Sequence, residues 1–529
     1  MVVTDAPLAT RVGVNVLRRG GHAVDAAVAV AFALAVVYPE AGNVGGGGFL
    51  VVRGADGSAA ALDFRETAPL AATREMFLDA RGEPTDRSVT GHLAAGVPGT
   101  VAGLWEAHRR YGRLPWRDLV APAIRLAEEG FPVDERFAAT VAGQARRLAA
   151  FPASAALFLP GGAPPAVGST WRNPDLAAVL RRVAERGAAG FYEGETADLI
   201  VAEMRRGGGL ISHEDLRRYR PAWRPPVVFE YRGHRVISMP PPSSGGVTLA
   251  LIANILEGYD LRALGWHSPA HLHLLAEAGR RAFADRNRFL GDPDVVAIPL
   301  ERLLSKSYAA RLRATIALDR ATPSAAVAPE LGRVESDHTT HISIVDPDGN
   351  AAALTTTINE LYGSAVTVAG AGFLLNDEMD DFAVKPGAPN LYGLVQGEAN
   401  AIAPGKRMLS AMSPTIVEGP GGELRLVTGA RGGPRIISAV FQVLSNVVDF
   451  EMPLPFAVAA PRTHHQHLPD ALFYEAGGLT PAQIRRLETL GHTVQPRAGG
   501  IGHAPTIARA EGGWLGVADP REGGLAAGF

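Results

Sequence analysis

The chain reads as an α/β protein. A strand–turn–strand pattern lies about two thirds of the way along it, capped helices with apolar faces lie before it, and 529 residues with 47% hydrophobic content can bury a large core. A patterned helix begins near Pro7. The longest apolar run, residues 26–37, is flanked by Asp25 and Pro39. A bilayer span needs about 20 apolar residues, so this run predicts a buried core helix and no membrane span. The glycines at 45–48 lack the Lys-Ser/Thr that would complete a phosphate loop and read as a close-packing turn. Ser268-Pro269 supplies an N-cap and a first-turn proline for a helix running to about Phe289. The arginines of that helix, Arg280, Arg281, Arg286 and Arg288, read as a solvated or subunit-facing surface. Residues 321–331, rich in Ala and Pro, read as a flexible connection.

Composition excludes several classes of function. A net charge of −3, with arginines dispersed rather than gathered in a stripe, argues against a nucleic-acid surface. With no cysteine there is no disulfide, thiolate nucleophile or Cys-ligated zinc. His464, His465 and His467 do not read as a metal site, because adjacent histidines on a strand point to opposite faces and no nearby pattern completes a ligand set. No cofactor or metal is expected.

The central pattern carries the chemistry. Residues 339–345 are β-rich, Pro347-Asp348-Gly349-Asn350 signals a turn, and residues 351–359 resume a Thr-rich strand, which together read as a hairpin. A threonine hydroxyl is a poor nucleophile near neutral pH. It becomes competent when it is N-terminal, because its own α-amine, with an unperturbed pKa of about 7.7 to 8.0, then serves as general base. Thr339 acquires such an amine only if the bond after His338 is cut, so this reading requires a self-processing precursor. Pairing Asp346 with Ala351 would place Thr339 beside Ile358, with Thr357 and Asn359 as diagonal neighbours; a slip by one residue remains open. Alternation puts Thr355, Thr357 and Asn359 on one face. The plainer reading of such a strand is a Thr-rich exposed sheet.

Other segments decide between these readings. The strings Asp63-Phe64-Arg65-Glu66-Thr67, Pro240-Pro241-Pro242-Ser243-Ser244-Gly245-Gly246, Asn376-Asp377-Glu378-Met379-Asp380-Asp381, Pro389-Asn390-Leu391-Tyr392-Gly393, Leu409-Ser410-Ala411-Met412-Ser413-Pro414 and Thr428-Gly429-Ala430-Arg431-Gly432-Gly433 follow one another in order, up to Asp519-Pro520-Arg521. Together they resemble the γ-glutamyltranspeptidase family of N-terminal-nucleophile hydrolases. The resemblance implies one four-layer αββα sandwich, built jointly by residues 1–338 as large subunit and 339–529 as small subunit. The resemblance implies a periplasmic or secreted protein, since such relatives are usually exported, while residues 1–6 show no basic segment followed by an apolar signal core, which fits a cytoplasmic protein or a start further upstream.

The resemblance also assigns roles. It implies that Thr339 is the nucleophile, freed by cleavage between His338 and Thr339, and that Thr357 supports its amine and hydroxyl. In isolation Gly432-Gly433 is a plain turn; the family match makes its backbone N–H groups the oxyanion donors. Arg65 corresponds to the arginine that grips the substrate α-carboxylate, a task suited to a bidentate guanidinium. Glu378 and Asp381 correspond to the holders of the α-ammonium, Asn359 and Ser410 to polar contacts nearby, and Tyr392 to a lid residue closing over Asn359. For any one of these charges a structural ion pair is the competing reading. Many members have Ser-Ser before Met, whereas this chain has Ser410-Ala411 and so lacks one hydroxyl near the carboxylate.

The expected activity is transfer of a γ-glutamyl group from glutathione or another γ-glutamyl donor to water, an amino acid or a dipeptide. One alternative is an acylase for a glutaryl-type amide, disfavoured because Glu378 and Asp381 would then be desolvated against an uncharged carbon. The other is a catalytically silent scaffold that only binds γ-glutamyl ligands, disfavoured by the intact Thr339, Thr357 and Gly432-Gly433.

Overall fold

The computed structural model describes residues 1–327, 339–388 and 395–529. The expected sandwich is present. One sheet runs in the order Leu525–Ala527, Val2–Thr4, Thr340–Val345, Ala351–Thr357, Gly47–Arg53, Ala59–Phe64, Ala222–Arg224, with every neighbouring pair antiparallel. The other runs Gly513–Val517, Thr506–Ala510, Leu424–Thr428, Thr415–Glu418, His234–Ser238, Val227–Tyr231. Both sheets take strands from before and after Thr339. The Val2–Thr4 strand is itself held between residues 525–527 and 343–344.

Strand alternation explains the layering. Ile342 and Ile344, with Ala352 and Leu354, join the core formed with the helices Pro7–Arg18, Ala23–Val37 and Trp116–Glu129. Every residue of Ala23–Val37 is buried, as the apolar run at 26–37 requires, and Asp25 in its first turn accepts from the N–H groups of His22, Arg113 and Leu114. The opposite face, with Val345, Ala351 and Ala353, joins the second sheet and the helices Gly245–Leu256, Pro269–Phe289 and Arg435–Val448. Ser343 marks that face, donating to the carbonyls of Val427 and Pro505 at 3.3 and 2.9 Å. Among the described residues no helix is long and apolar enough to cross a membrane.

The helix Pro269–Phe289 starts where the sequence places it, with the Ser268 hydroxyl accepting from His271 N–H. Its arginines require a correction. Arg280, Arg281 and Arg286 are each 2% exposed, and only Arg288 reaches solvent. Glu277, one turn earlier, lies between Arg280 and Arg281 and accepts from Arg281 Nη1 at 2.5 Å. This buried group also corrects the connection expected at 321–331. Thr322 donates through N and Oγ1 to Glu277, at 3.0 and 2.6 Å. Ser324 N donates to Asp470 at 2.7 Å, and Arg280 Nε donates to the Ser324 hydroxyl. The segment is therefore fastened at Thr322 and Ser324, while residues 328–331 lie outside the described residues.

The hairpin register differs by one residue from the first count. Ala351 pairs with Val345 and Thr356 with Thr340, so extending the ladder places Thr339 opposite Thr357. The turn causes the shift. The Asp346 carboxylate accepts from the N–H groups of Asp348 and Asn350 at 3.0 and 2.9 Å, drawing Asp346 into the turn and pairing it with Asn350.

Candidate active site

The site lies at the end of this hairpin, in a cavity of about 330 Å³ including its mouth. Thr339 lines it, 4% exposed, with Thr357 and Asn359 beside it. The Thr357 hydroxyl accepts from Asn359 N–H at 2.8 Å. Asn359 has φ 72° and its side-chain amide donates to Asp377 O at 3.1 Å, tying the strand end to the segment that bears the acidic residues. The glycine run at 45–48 makes this junction possible. A Cβ on Gly46 would come within 2.1 Å of Thr357 O, and one on Gly45 within 2.1 Å of Leu374 O. Thr355, on the same face, meets His341 Nδ1 at 2.8 Å. Burial lowers the His341 pKa to about 3, so the ring between the sheets is neutral.

Gly433 lines the pocket opposite; Gly432 precedes it just outside the lining. Their φ values of 128° and 53° suit glycine, and the two residues lead into the Arg435–Val448 helix, where positive partial charge gathers. Among the described residues no backbone acceptor takes either N–H.

The charged wall is the least conventional part. Arg65 follows the Ala59–Phe64 strand and is fully buried. Its Nε donates to Met408 O at 3.2 Å, and Nη2 bonds the Asp381 carboxylate. Nη1 lies 2.6 Å from Glu378 but off the hydrogen-bonding line, a charge contact rather than a directed bond, and 3.6 Å from Glu66. One guanidinium thus faces three buried carboxylates. Burial outweighs its attraction: Glu378 is pushed well above the ordinary carboxylate range, Asp381 is raised, and Glu66 is pushed up to about 8. The same neighbours raise the Arg65 pKa despite burial. The acidic pair therefore has a partner of its own within the protein, which corrects the expectation that an uncharged ligand would leave it uncompensated. The second guanidinium of the cavity is Arg286.

Ser410, Ala411 and Met412 form the adjoining wall. The Pro-Pro-Ser-Ser segment fixes it: Ser244 N and Oγ both donate to Ser410 O, at 2.7 and 2.6 Å, and Ser410 N donates to Pro242 O at 2.9 Å. The Ser410 hydroxyl accepts from Met412 N–H at 3.1 Å. Of the residues singled out in the sequence, Arg65, Thr339, Thr357, Asn359, Glu378, Asp381, Ser410 and Gly433 converge on one cavity. His338 and Tyr392 lie outside the described residues. Glu66 and Arg286 were missed. Glu66 stood in the same string as Arg65, whereas Arg286 looked like one of several surface charges.

The histidines at 464, 465 and 467 do not converge: they contact Ser438, Asp470 and Ser324 respectively. A different buried trio, His273, Glu277 and His492, brings ligand-type atoms within 4.8 Å of one another. Its atoms are already engaged, since His273 and His492 share a 2.8 Å bond and Glu277 serves two arginines, whose charge opposes a cation there.

The sequence model described as gamma-glutamyltranspeptidase matches residues 9–529. A glutathione hydrolase proenzyme of Pseudomonas sp. (strain A14) is 49% identical over 93% of this chain and 86% of its own length. A protein of the same name from Escherichia coli (strain K12) is 45% identical over 98% of this chain and 90% of its own. Among solved structures, cephalosporin acylase from Bacillus halodurans superposes with a TM-score of 0.88 at 30% identity, covering all of this chain and 95% of its own.

Proposed function

The chain belongs to the γ-glutamyltranspeptidase family, and on that premise we propose that it is an autoprocessing γ-glutamyltransferase and glutathione hydrolase whose nucleophile is Thr339. Cleavage of the His338–Thr339 bond leaves fragments 1–338 and 339–529 and gives Thr339 a free α-amine. The strands shared between the fragments support their remaining one folded unit. The amine takes the proton of Thr339 Oγ as that oxygen attacks the γ-amide carbonyl. The N–H groups of Gly432 and Gly433 receive the oxyanion. The amine leaving group departs with the proton, leaving a γ-glutamyl ester on Oγ. Water or the amino group of an amino acid or dipeptide then attacks that ester by the same route and restores Thr339. Thr357, opposite Thr339, orients the amine and hydroxyl, and Tyr392 is assigned to a lid over the loaded pocket.

Glu378 and Asp381 hold the donor α-ammonium, with Asn359 and Ser410 as polar neighbours, while Arg65 supplies positive charge for the α-carboxylate. The observation that carries the substrate reading is the excess of acid around Arg65. Three buried carboxylates face the two guanidiniums of the cavity, Arg65 and Arg286, so a donor that brings an ammonium with its carboxylate suits this wall better than a glutaryl group, which adds negative charge alone. The acylase reading has its own support in the fold match to cephalosporin acylase and in the self-neutralised acidic pair. Catalytic efficiencies on matched γ-glutamyl and glutaryl anilides separate the two. We expect a ratio well above one; a ratio at or below one replaces the substrate and leaves the nucleophile in place.

A further inference from the structure

Arg286 was read from the sequence as a surface charge, yet it lines the catalytic cavity alongside Thr339, Ser410 and Ala411 and is 2% exposed. Its Nε donates to the Ser244 hydroxyl at 2.8 Å and Nη1 to Asn287 Oδ1 at 2.9 Å. Both acceptors are neutral. Among the described residues no carboxylate pairs with Arg286 within 4.0 Å and no protein acceptor takes Nη2. Asp381 is the acidic group whose field reaches it, and burial brings its pKa down to about 10. A buried guanidinium held by neutral groups, one edge open to a cavity, is a built site for an anion.

Arg65 is in the opposite condition, with Asp381, Glu378 and Met408 O occupying its donor edge. Ser244, which fixes Arg286, is also bonded through both its hydroxyl and its N–H to Ser410 O, so the guanidinium is locked to the wall where Ala411 stands.

We propose that Arg286 is a second carboxylate-binding, specificity-determining residue, whose open edge joins Arg65 in holding the donor α-carboxylate on the side where Ala411 offers no hydroxyl. The inference rests on the γ-glutamyl reading of this pocket.

The test uses the processed enzyme and three p-nitroanilides: γ-glutamyl, with carboxylate and ammonium; glutaryl, with carboxylate only; and 4-aminobutanoyl, with ammonium only. Losing a charge-assisted hydrogen bond corresponds to roughly a ten- to hundred-fold loss of kcat/KM. Arg286→Gln is expected to show that loss, mainly through KM, on the two carboxylate donors and to leave the 4-aminobutanoyl donor within about two-fold. Arg286→Lys keeps the buried charge, so it carries the test if Arg286→Gln does not fold, and should lose several-fold on the same two donors alone. An equal loss on all three donors would reduce Arg286 to a support of the pocket wall, and no loss on any would remove it from donor binding. If wild-type enzyme cleaves no γ-glutamyl donor, the functional reading itself has failed, and this is seen before any variant is made.

Discussion

Thr357 stands across the antiparallel ladder from Thr339, one residue away from the partner that turn signals alone assign. The Thr357 hydroxyl also accepts from Asn359 N–H and so fixes the residue that closes the strand end. The bond from Asn359 needs a hydroxyl at this position, as does the support proposed for the Thr339 amine. Thr357→Ala is expected to slow both self-cleavage and turnover at least ten-fold, whereas Thr357→Ser retains most of each. Fragment appearance on a denaturing gel and anilide kinetics on the processed fraction measure the two effects separately; unchanged rates of both for Thr357→Ala would remove its assigned role.

The acidic cluster makes Arg65 a stabilising residue as well as a binding one. Arg65→Ala leaves Glu66, Glu378 and Asp381 buried without their shared cation, a change costing about 3–5 kcal/mol where a buried partner is removed. The variant should regain stability as pH falls, because protonation removes the stranded charges. Melting curves between pH 5 and about 8 test this; a pH-independent destabilisation would show that the loss is one of packing.

Glu66 gives a separate pH signature. Its folded pKa is raised from 4.5 to about 8, so the folded state keeps a proton that the unfolded chain has released. Between those values the folded protein binds more protons, and stability declines as pH rises through the window. Glu66→Gln fixes the neutral form, with no hydrogen-bond partner lost among the described residues. Its stability advantage over wild type should grow from pH 5 towards 8; a constant difference across that range would contradict the assignment.

Much of the fold was legible locally. Ser268-Pro269 fixed a helix start because capping is a rule of adjacent residues, and the buried run at 26–37 needed only its own composition. The hairpin register was not legible to the residue, because the Asp346 side chain enters the turn and captures its N–H groups. Arg280 and Arg281 were misread for a longer-range reason. Their local partner Glu277 was visible, but Arg280 is covered by His465 and Asp470, 185 and 190 residues away in the chain, and Arg281 by Thr315 and Thr322. Arg286 shares that cause, since what surrounds it comes from the Ser244 loop and the far side of the hairpin.

The fastening of residues 322–324 is testable on its own. Glu277→Ala leaves Arg280 and Arg281 without their common partner and frees Thr322. It should destabilise the protein by about 3–5 kcal/mol and expose residues 316–327 to limited proteolysis that wild type resists. Equal cleavage of both proteins in that segment would mean that the buried contacts do not hold it.

The central claim is that Thr339 works only as an N-terminal residue. Intact-mass measurement of the purified wild-type protein under denaturing conditions, alongside its anilide-hydrolysing activity, tests it most directly. The account predicts fragments corresponding to residues 1–338 and 339–529, the second beginning Thr-Thr-His-Ile, while Thr339→Ala remains one inactive chain. A single uncut wild-type chain with full activity would contradict it.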